Sequence, residues 1–179
     1  MLDPATSRKW IFRLLFCAIA ALLIFVHLLP SDALPRHFPG PDLLLCLAFA
    51  WVQRRPDFVP PLLLAGVFFM ADLLFMRPPG LWTALTLIGA EFLRTRHQGS
   101  AEMPFGVELL FTAVVIVAMT VAYVLVLSAT GAPHAALSMY MVQMLMTILF
   151  YPVVVLLSRH GFDLRRPTPA ELSARRAPR

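Results

Sequence analysis

Four stretches of this chain are too long and too apolar to be surface helices of a soluble protein. They run from Trp10 to Leu29, Phe58 to Phe75, Val107 to Ser128 and Ala135 to Ser158. A run of about 18 apolar residues is already a candidate membrane span, because about 20 residues of helix cross a hydrocarbon core of about 30 Å. In lipid, every backbone N–H and C=O must find its partner within the segment, so these stretches are expected to be helical. Two further apolar runs are shorter. Asp42–Val52 and Leu81–Leu93 offer 11 and 13 residues, or about 17 and 20 Å of helix at about 1.5 Å per residue. Their length leaves open whether they cross or lie buried.

Charge settles the expectation for these two. Basic residues collect on the cytoplasmic side of membrane proteins. With all six segments crossing and the N-terminus inside, the inner side holds Arg8, Lys9, Arg13, Arg54, Arg55, Arg94, Arg96 and the six arginines from Arg159 onward. The outer side holds only Arg36 and Arg77, a split of 13 against 2. If the second segment fails to cross, the split becomes 4 inside against 11 outside; if the fourth fails, it becomes 5 against 10. The expected fold is therefore an all-α, polytopic membrane domain of six transmembrane helices over residues 1–158. A basic, Pro-rich cytoplasmic tail follows over 159–179, with both termini inside. Arg8, Lys9 and Arg13 before an apolar run resemble the start of a signal peptide, and Ser31-Asp32-Ala33 offers small residues for cleavage. The apolar stretch exceeds a signal core of about 7–15 residues, however, so the first helix is expected to be retained.

Composition excludes other classes. The chain is 59% apolar and 14% charged, against about 45–50% and about 25% in soluble domains. The net charge of +5 does not point to nucleic acid, because the basic residues flank the apolar segments. Cys17 and Cys46 lie inside apolar runs, so neither a disulfide framework nor a thiolate metal site is expected. The chain has no Gly-rich phosphate loop, no HExxH and no CxxC, and no acid–base pair in a plausible position. The expectation is a protein without enzymatic activity, metal or cofactor, whose helix faces and loops bind partners.

A few polar residues lie within or beside the spans, where they are costly. Asp42 follows Pro41 at the start of the second helix, where a carboxylate suits the positive helix end. Asp72 sits inside the third segment near its C-terminal end, opposes the dipole there, and needs a partner. Arg77 is the nearest cation in sequence. Asp42, Asp72 and Arg77 are therefore expected to form an outer polar cluster, either structural or a contact for a partner. Glu91 and Arg94 are spaced for an i,i+3 ion pair. Glu108 falls in the first turn of the fifth helix. Gln143, mid-span in the sixth, is expected to hydrogen-bond between helices. Gly66, and Ala118 with Ala122, mark places where helices could approach closely. Arg54, Arg55, Arg94 and Arg96 are expected to reach headgroups or cytoplasmic partners.

Several of these residues fall into an ordered pattern. Pro41-Asp42-Leu43-Leu44-Leu45, Arg54-Arg55-Pro56, Gly66, Asp72-Leu73-Leu74 and Pro78-Pro79-Gly80-Leu81, with Tyr151-Pro152 in the last span, resemble the bacterial rod shape-determining MreD family. The match is densest over residues 41–93. Two positions depart from the pattern: Met76 stands where the family often has Gly four residues after the Asp, and Pro79 replaces a usual apolar residue. The resemblance implies a non-enzymatic scaffold of the inner membrane that maintains rod shape during cell elongation. The implied partners are MreC, RodA, a class-B penicillin-binding transpeptidase and, directly or through them, the MreB filament. The implied fold is similar to the S components of energy-coupling-factor transporters. A vitamin-binding S component is the alternative reading. It requires an outward pocket with convergent polar groups, of which the sequence offers few, and small residues on the first helix, which Ala18, Ala20 and Ala21 supply.

Overall fold

The structure is a computed structural model and describes residues 4–29, 40–97, 104–131 and 136–161. Among these the chain forms six α-helices and no strand: α1 (Pro4–Leu28), α2 (Leu43–Arg54), α3 (Pro61–Leu74), α4 (Leu81–His97), α5 (Phe105–Thr130) and α6 (Leu137–Gly161). Local chemistry sets the boundaries. Asp42 caps α2, its side chain accepting from the Leu45 N–H, as carboxylates do at free helix N-termini. Prolines open α1 and α3 at positions where a missing N–H costs nothing. Gly131, in the left-handed region at φ 64°, closes α5 by donating its N–H to the Leu127 and Ser128 carbonyls.

α2 is the hub. Every residue from Leu44 to Arg54 is buried. α2 packs against α6, α4 and α1; α3 packs on α4 and α1, and α5 bridges α4 and α6. Trp51 is fully buried and meets Phe16 and Phe12 of α1 at ring-centroid distances of 5.5 and 6.4 Å. Thr147 of α6 clips the start of α2: its hydroxyl accepts from the Asp42 N–H at 3.0 Å, and its carbonyl accepts from the Cys46 thiol at 3.3 Å. A helix walled by protein on every side does not need to match the thickness of lipid, which accounts for the short second segment.

Among the described residues three helices are long and apolar enough to cross a membrane, over Ser7–Leu28, Phe105–Thr130 and Leu137–Arg159. Their outward faces are apolar: Trp10, Leu14 and Phe25 on α1, Leu110 and Leu125 on α5, and Leu145, Leu149 and Leu157 on α6 are exposed. The third segment was expected to join this group and does not. Residues 56–58 form a turn before Pro60 and Pro61, so α3 has 14 residues, or about 21 Å. α4 is longer than the apolar run suggested, 17 residues, because it continues through Glu91 and Arg94, which pair at 3.1 Å as their spacing predicts.

The glycine expectation is also corrected. A Cβ on Gly66 would meet nothing within 4 Å. The close approach is at Gly89 of α4, where a Cβ would lie 2.8 Å from Val115 and 2.9 Å from Met119 of α5. Ala118 lies on the exposed face of α5 and Ala122 is partly buried. The Ser31-Asp32-Ala33 stretch, Arg36 and the tail beyond Gly161 lie outside the described residues.

Candidate functional site

The polar side chains gather at the two ends of the bundle. At the end where α2, α4 and α6 begin, Asp42, Asp72 and Arg77 are near one another in the fold but do not form one cluster. Asp72 is fully buried. Its Oδ2 accepts from the Gly80 N–H (3.1 Å), the Thr83 N–H (3.1 Å) and the Thr83 hydroxyl (2.8 Å). The residue before α4 is Gly80, which has no side chain to cap the helix. Asp72, eight residues upstream, takes that role. Its partner is thus the positive end of α4, in place of the Arg77 guanidinium. Arg77 contributes only its backbone, donating its N–H to the Asp72 carbonyl at 3.0 Å.

The Arg77 guanidinium faces Asp42 instead, at 3.8 Å, with the two side chains 21% and 11% exposed. It also lies over the rings of Phe75 and Trp82, 5.2 and 5.5 Å from their centroids. Trp82 meets Tyr123 edge-on at 5.1 Å, and Tyr123 meets Tyr140 at 5.9 Å. Asp42, Arg77, Trp82, Tyr123 and Tyr140 line a cavity of about 150 Å³ between α2, α4, α5 and α6. Gln143 lines it too. Its side chain makes no hydrogen bond among the described residues, contrary to the expectation that it stitches helices. This end of the bundle therefore brings together more polar groups than the sequence suggested. Tyr123 and Tyr140 lie about 40 and 60 residues from Trp82 in the chain, so no local pattern linked them.

At the opposite end, Arg54 and Glu108 form a buried ion pair. The Arg54 Nη2 lies 3.2 and 3.4 Å from the two Glu108 oxygens. The Tyr151 hydroxyl donates to Glu108 at 3.1 Å, and the Gln53 amide donates to Thr112 (2.9 Å) and Tyr151 (3.0 Å). Arg54 was expected at the headgroups but is 6% exposed, drawn inward by the countercharge in the first turn of α5. The stitching amide is Gln53, one residue beyond the apolar run and so outside the sequence reading. Arg94 is also held inside, donating to the Val59 carbonyl at 2.8 Å as well as pairing with Glu91. Arg55 is partly buried beside Phe58, and Arg96 is exposed over Phe92 and Phe111. Of the four arginines expected at the headgroups or at cytoplasmic partners, Arg96 alone is exposed; Arg55 and Arg94 are partly buried and Arg54 is buried.

Among the described residues no group of three or more His, Cys, Asp or Glu side chains is placed to hold a metal ion. The described residues define a class: an all-α fold with three helices long and apolar enough to cross a membrane. No protein-family model, curated protein or solved structure matches the chain.

Proposed function

We propose that this chain is a non-enzymatic scaffold of the bacterial inner membrane, acting in the rod-elongation machinery that its resemblance to MreD implies. In this reading all six helices cross the bilayer and both termini are cytoplasmic. The observation that carries it is the division between interior and exterior. The buried carboxylates are engaged in contacts between helices, Asp72 with α4 and Glu108 with Arg54 and Tyr151. The outward faces of α1, α5 and α6 are apolar. Such a surface is suited to packing against other spans, where association depends on close fit and small residues. Ala118, with Ala122 one turn on, supplies that fit on α5 beside the exposed Val114, Val121 and Leu125.

The occupant of that face is the single span of MreC or of the wall transpeptidase, with RodA and the MreB filament joined through the assembly. Exposed Arg96, with Arg8 and Lys9, meets anionic headgroups. The test is a native co-purification from the source bacterium in mild detergent, with the tag on the C-terminus. MreC and the transpeptidase are expected in the eluate, and Ala118→Leu is expected to cut their recovery at least fivefold at equal expression. Full recovery with Ala118→Leu moves the interface off α5; absence of both partners removes the scaffold reading.

The cavity beside Asp42 favours a second reading, a substrate-binding S component. There the exposed Ala18 and Ala21 of α1 meet an energy-coupling module. Recovery of a coupling ATPase in the same experiment selects it.

A further inference from the structure

The cavity at the Asp42 end holds hydrogen-bonding groups that the fold leaves without partners. A guanidinium carries five N–H donors, yet the Arg77 side chain makes no hydrogen bond among the described residues. Its carboxylate neighbour is 3.8 Å away, beyond hydrogen-bonding reach. Trp82 lines the same cavity, and its indole N–H is buried without an acceptor. Buried donors left unpaired are costly and uncommon in native structures. The Trp82 N–H is one such donor, and the partly exposed Arg77 guanidinium offers further donors on the same cavity, so one acceptor from outside the chain can satisfy both.

The charges narrow its chemistry. Arg77 and Asp42 carry opposite charges side by side on the cavity wall, 3.8 Å apart, so a simple anion gains from the first and is repelled by the second, and a simple cation meets the reverse. A molecule with both charges gains from both. The aromatic wall adds to this, since the faces of Trp and Tyr rings attract cations. Size sets the last limit. A cavity of about 150 Å³ is one that holds a benzene-sized molecule.

We propose that this cavity binds a compact zwitterion, an ammonium joined by a short linker to a phosphate or carboxylate. The oxyanion accepts from Arg77 and the Trp82 N–H; the ammonium lies between Asp42 and the rings of Tyr123 and Tyr140. Two sources supply such a group: the headgroup of an ethanolamine phospholipid, and a free amino-acid-like solute. The proposal rests on the geometry of the cavity; its free-solute arm coincides with the S-component reading, but co-purification reads partners and not the ligand, so the two fail separately.

The test uses the full chain in two arms. In the first, delipidated protein in non-ionic detergent is titrated with O-phosphoethanolamine, with inorganic phosphate and with ethylamine, reading thermal stability and intrinsic fluorescence. In the second, the protein is placed in nanodiscs of phosphatidylglycerol with and without phosphatidylethanolamine, and retained lipid is read by native mass spectrometry. O-phosphoethanolamine is expected to bind saturably and at least tenfold tighter than either single-charge probe. Arg77→Gln and Asp42→Asn are each expected to weaken it tenfold or more, and Trp82→Phe to abolish the fluorescence change. Asn retains the capping oxygen, so α2 stays closed. Gln143→Leu, which alters the lining without touching a helix cap, is expected to weaken binding severalfold and keeps the test decisive if either charge variant misfolds. Arg77-dependent retention of phosphatidylethanolamine without a response to the soluble probe identifies the lipid headgroup; the converse identifies a free solute. Silence in both arms, equal affinity for inorganic phosphate, or binding indifferent to Arg77→Gln overturns the proposal.

Discussion

Single residues in this chain carry roles that their neighbours in sequence do not announce. Asp72 replaces the missing cap of a helix that begins after glycine. Removing a buried acceptor strands its donors, at about 1–3 kcal/mol, and here three donors share one oxygen. Asp72→Ala is therefore expected to lower the melting temperature in detergent clearly more than Asp72→Asn, which keeps an acceptor; equal losses would show that the charge, not the cap, matters. Met76 is the second case. It is the one non-glycine described residue with positive φ, at 55°, and it is 91% exposed. A side chain in the left-handed region costs roughly 1–2 kcal/mol, which gives a physical reason for the glycine that the resembling family often has there. Met76→Gly is expected to raise the melting temperature, and a fall would place an unseen contact on the methionine. The buried Arg54–Glu108 pair is the third. Removing one member leaves an uncompensated charge, typically costing about 3–5 kcal/mol. Glu108→Leu is expected to destabilise strongly, and Arg54→Met added to it to recover a large part of the loss. A double variant no better than the single one would mean that Tyr151 and Gln53 carry the network without the charges.

At the scale of elements, the contact between α4 and α5 is set by the absence of a side chain. A methyl on Gly89 would sit 2.8 Å from Val115, too close for a β-branched side chain to yield easily. Overpacking of this kind costs roughly 1–3 kcal/mol. Gly66 faces open space, and there alanine gains roughly 0.5–1 kcal/mol of helix propensity. Gly89→Ala and Gly66→Ala should thus shift thermal stability in opposite directions, measured side by side in the same detergent. The sequence pointed to Gly66 because it lies mid-run, while Gly89 is hidden in an unremarkable Ile-Gly-Ala step. The same contrast governs the other elements. The long runs of α1, α5 and α6 were legible because lipid-facing helices must be apolar over their whole length. α2 was legible as a helix, with its cap at Asp42, but its central position was not. Burial on every side and burial in lipid select the same residues. The extent of α3 and α4 was misread because two prolines at 60–61 cut one helix short, while a local ion pair carried the other past its apolar end. The candidate site was half legible. Asp42 and Arg77 could be named from their depth, whereas Trp82, Tyr123 and Tyr140 come together only through the packing of α4, α5 and α6.

At the scale of the whole molecule, the question is whether the short helices cross. α3 and α4, at 14 and 17 residues, reach about 21 and 26 Å, less than the hydrocarbon thickness of about 30 Å. Local thinning, flanking cations and neighbouring helices accommodate such a shortfall at fractions of a kcal/mol per Å. Against this modest cost stands the charge asymmetry, 13 basic residues inside and 2 outside when all six segments cross. The asymmetry is the larger effect, because leaving out the second segment (α2) or the fourth (α4) inverts it. The prediction is made with two exposed positions at opposite ends of α4. Cys17 and Cys46 are first replaced with alanine, and Met76→Cys and Arg96→Cys are introduced separately. A membrane-impermeant maleimide applied to intact spheroplasts is expected to label position 76 and to label position 96 only after lysis. If α4 does not cross, the two positions share one side and label alike. If α4 crosses but α2 does not, the pattern inverts, with 96 labelled and 76 protected. Labelling at 76 alone is the outcome that six crossings require. It also places the Asp42–Arg77 cavity on the outer face, because Met76 belongs to the turn that delivers Arg77 to Asp42.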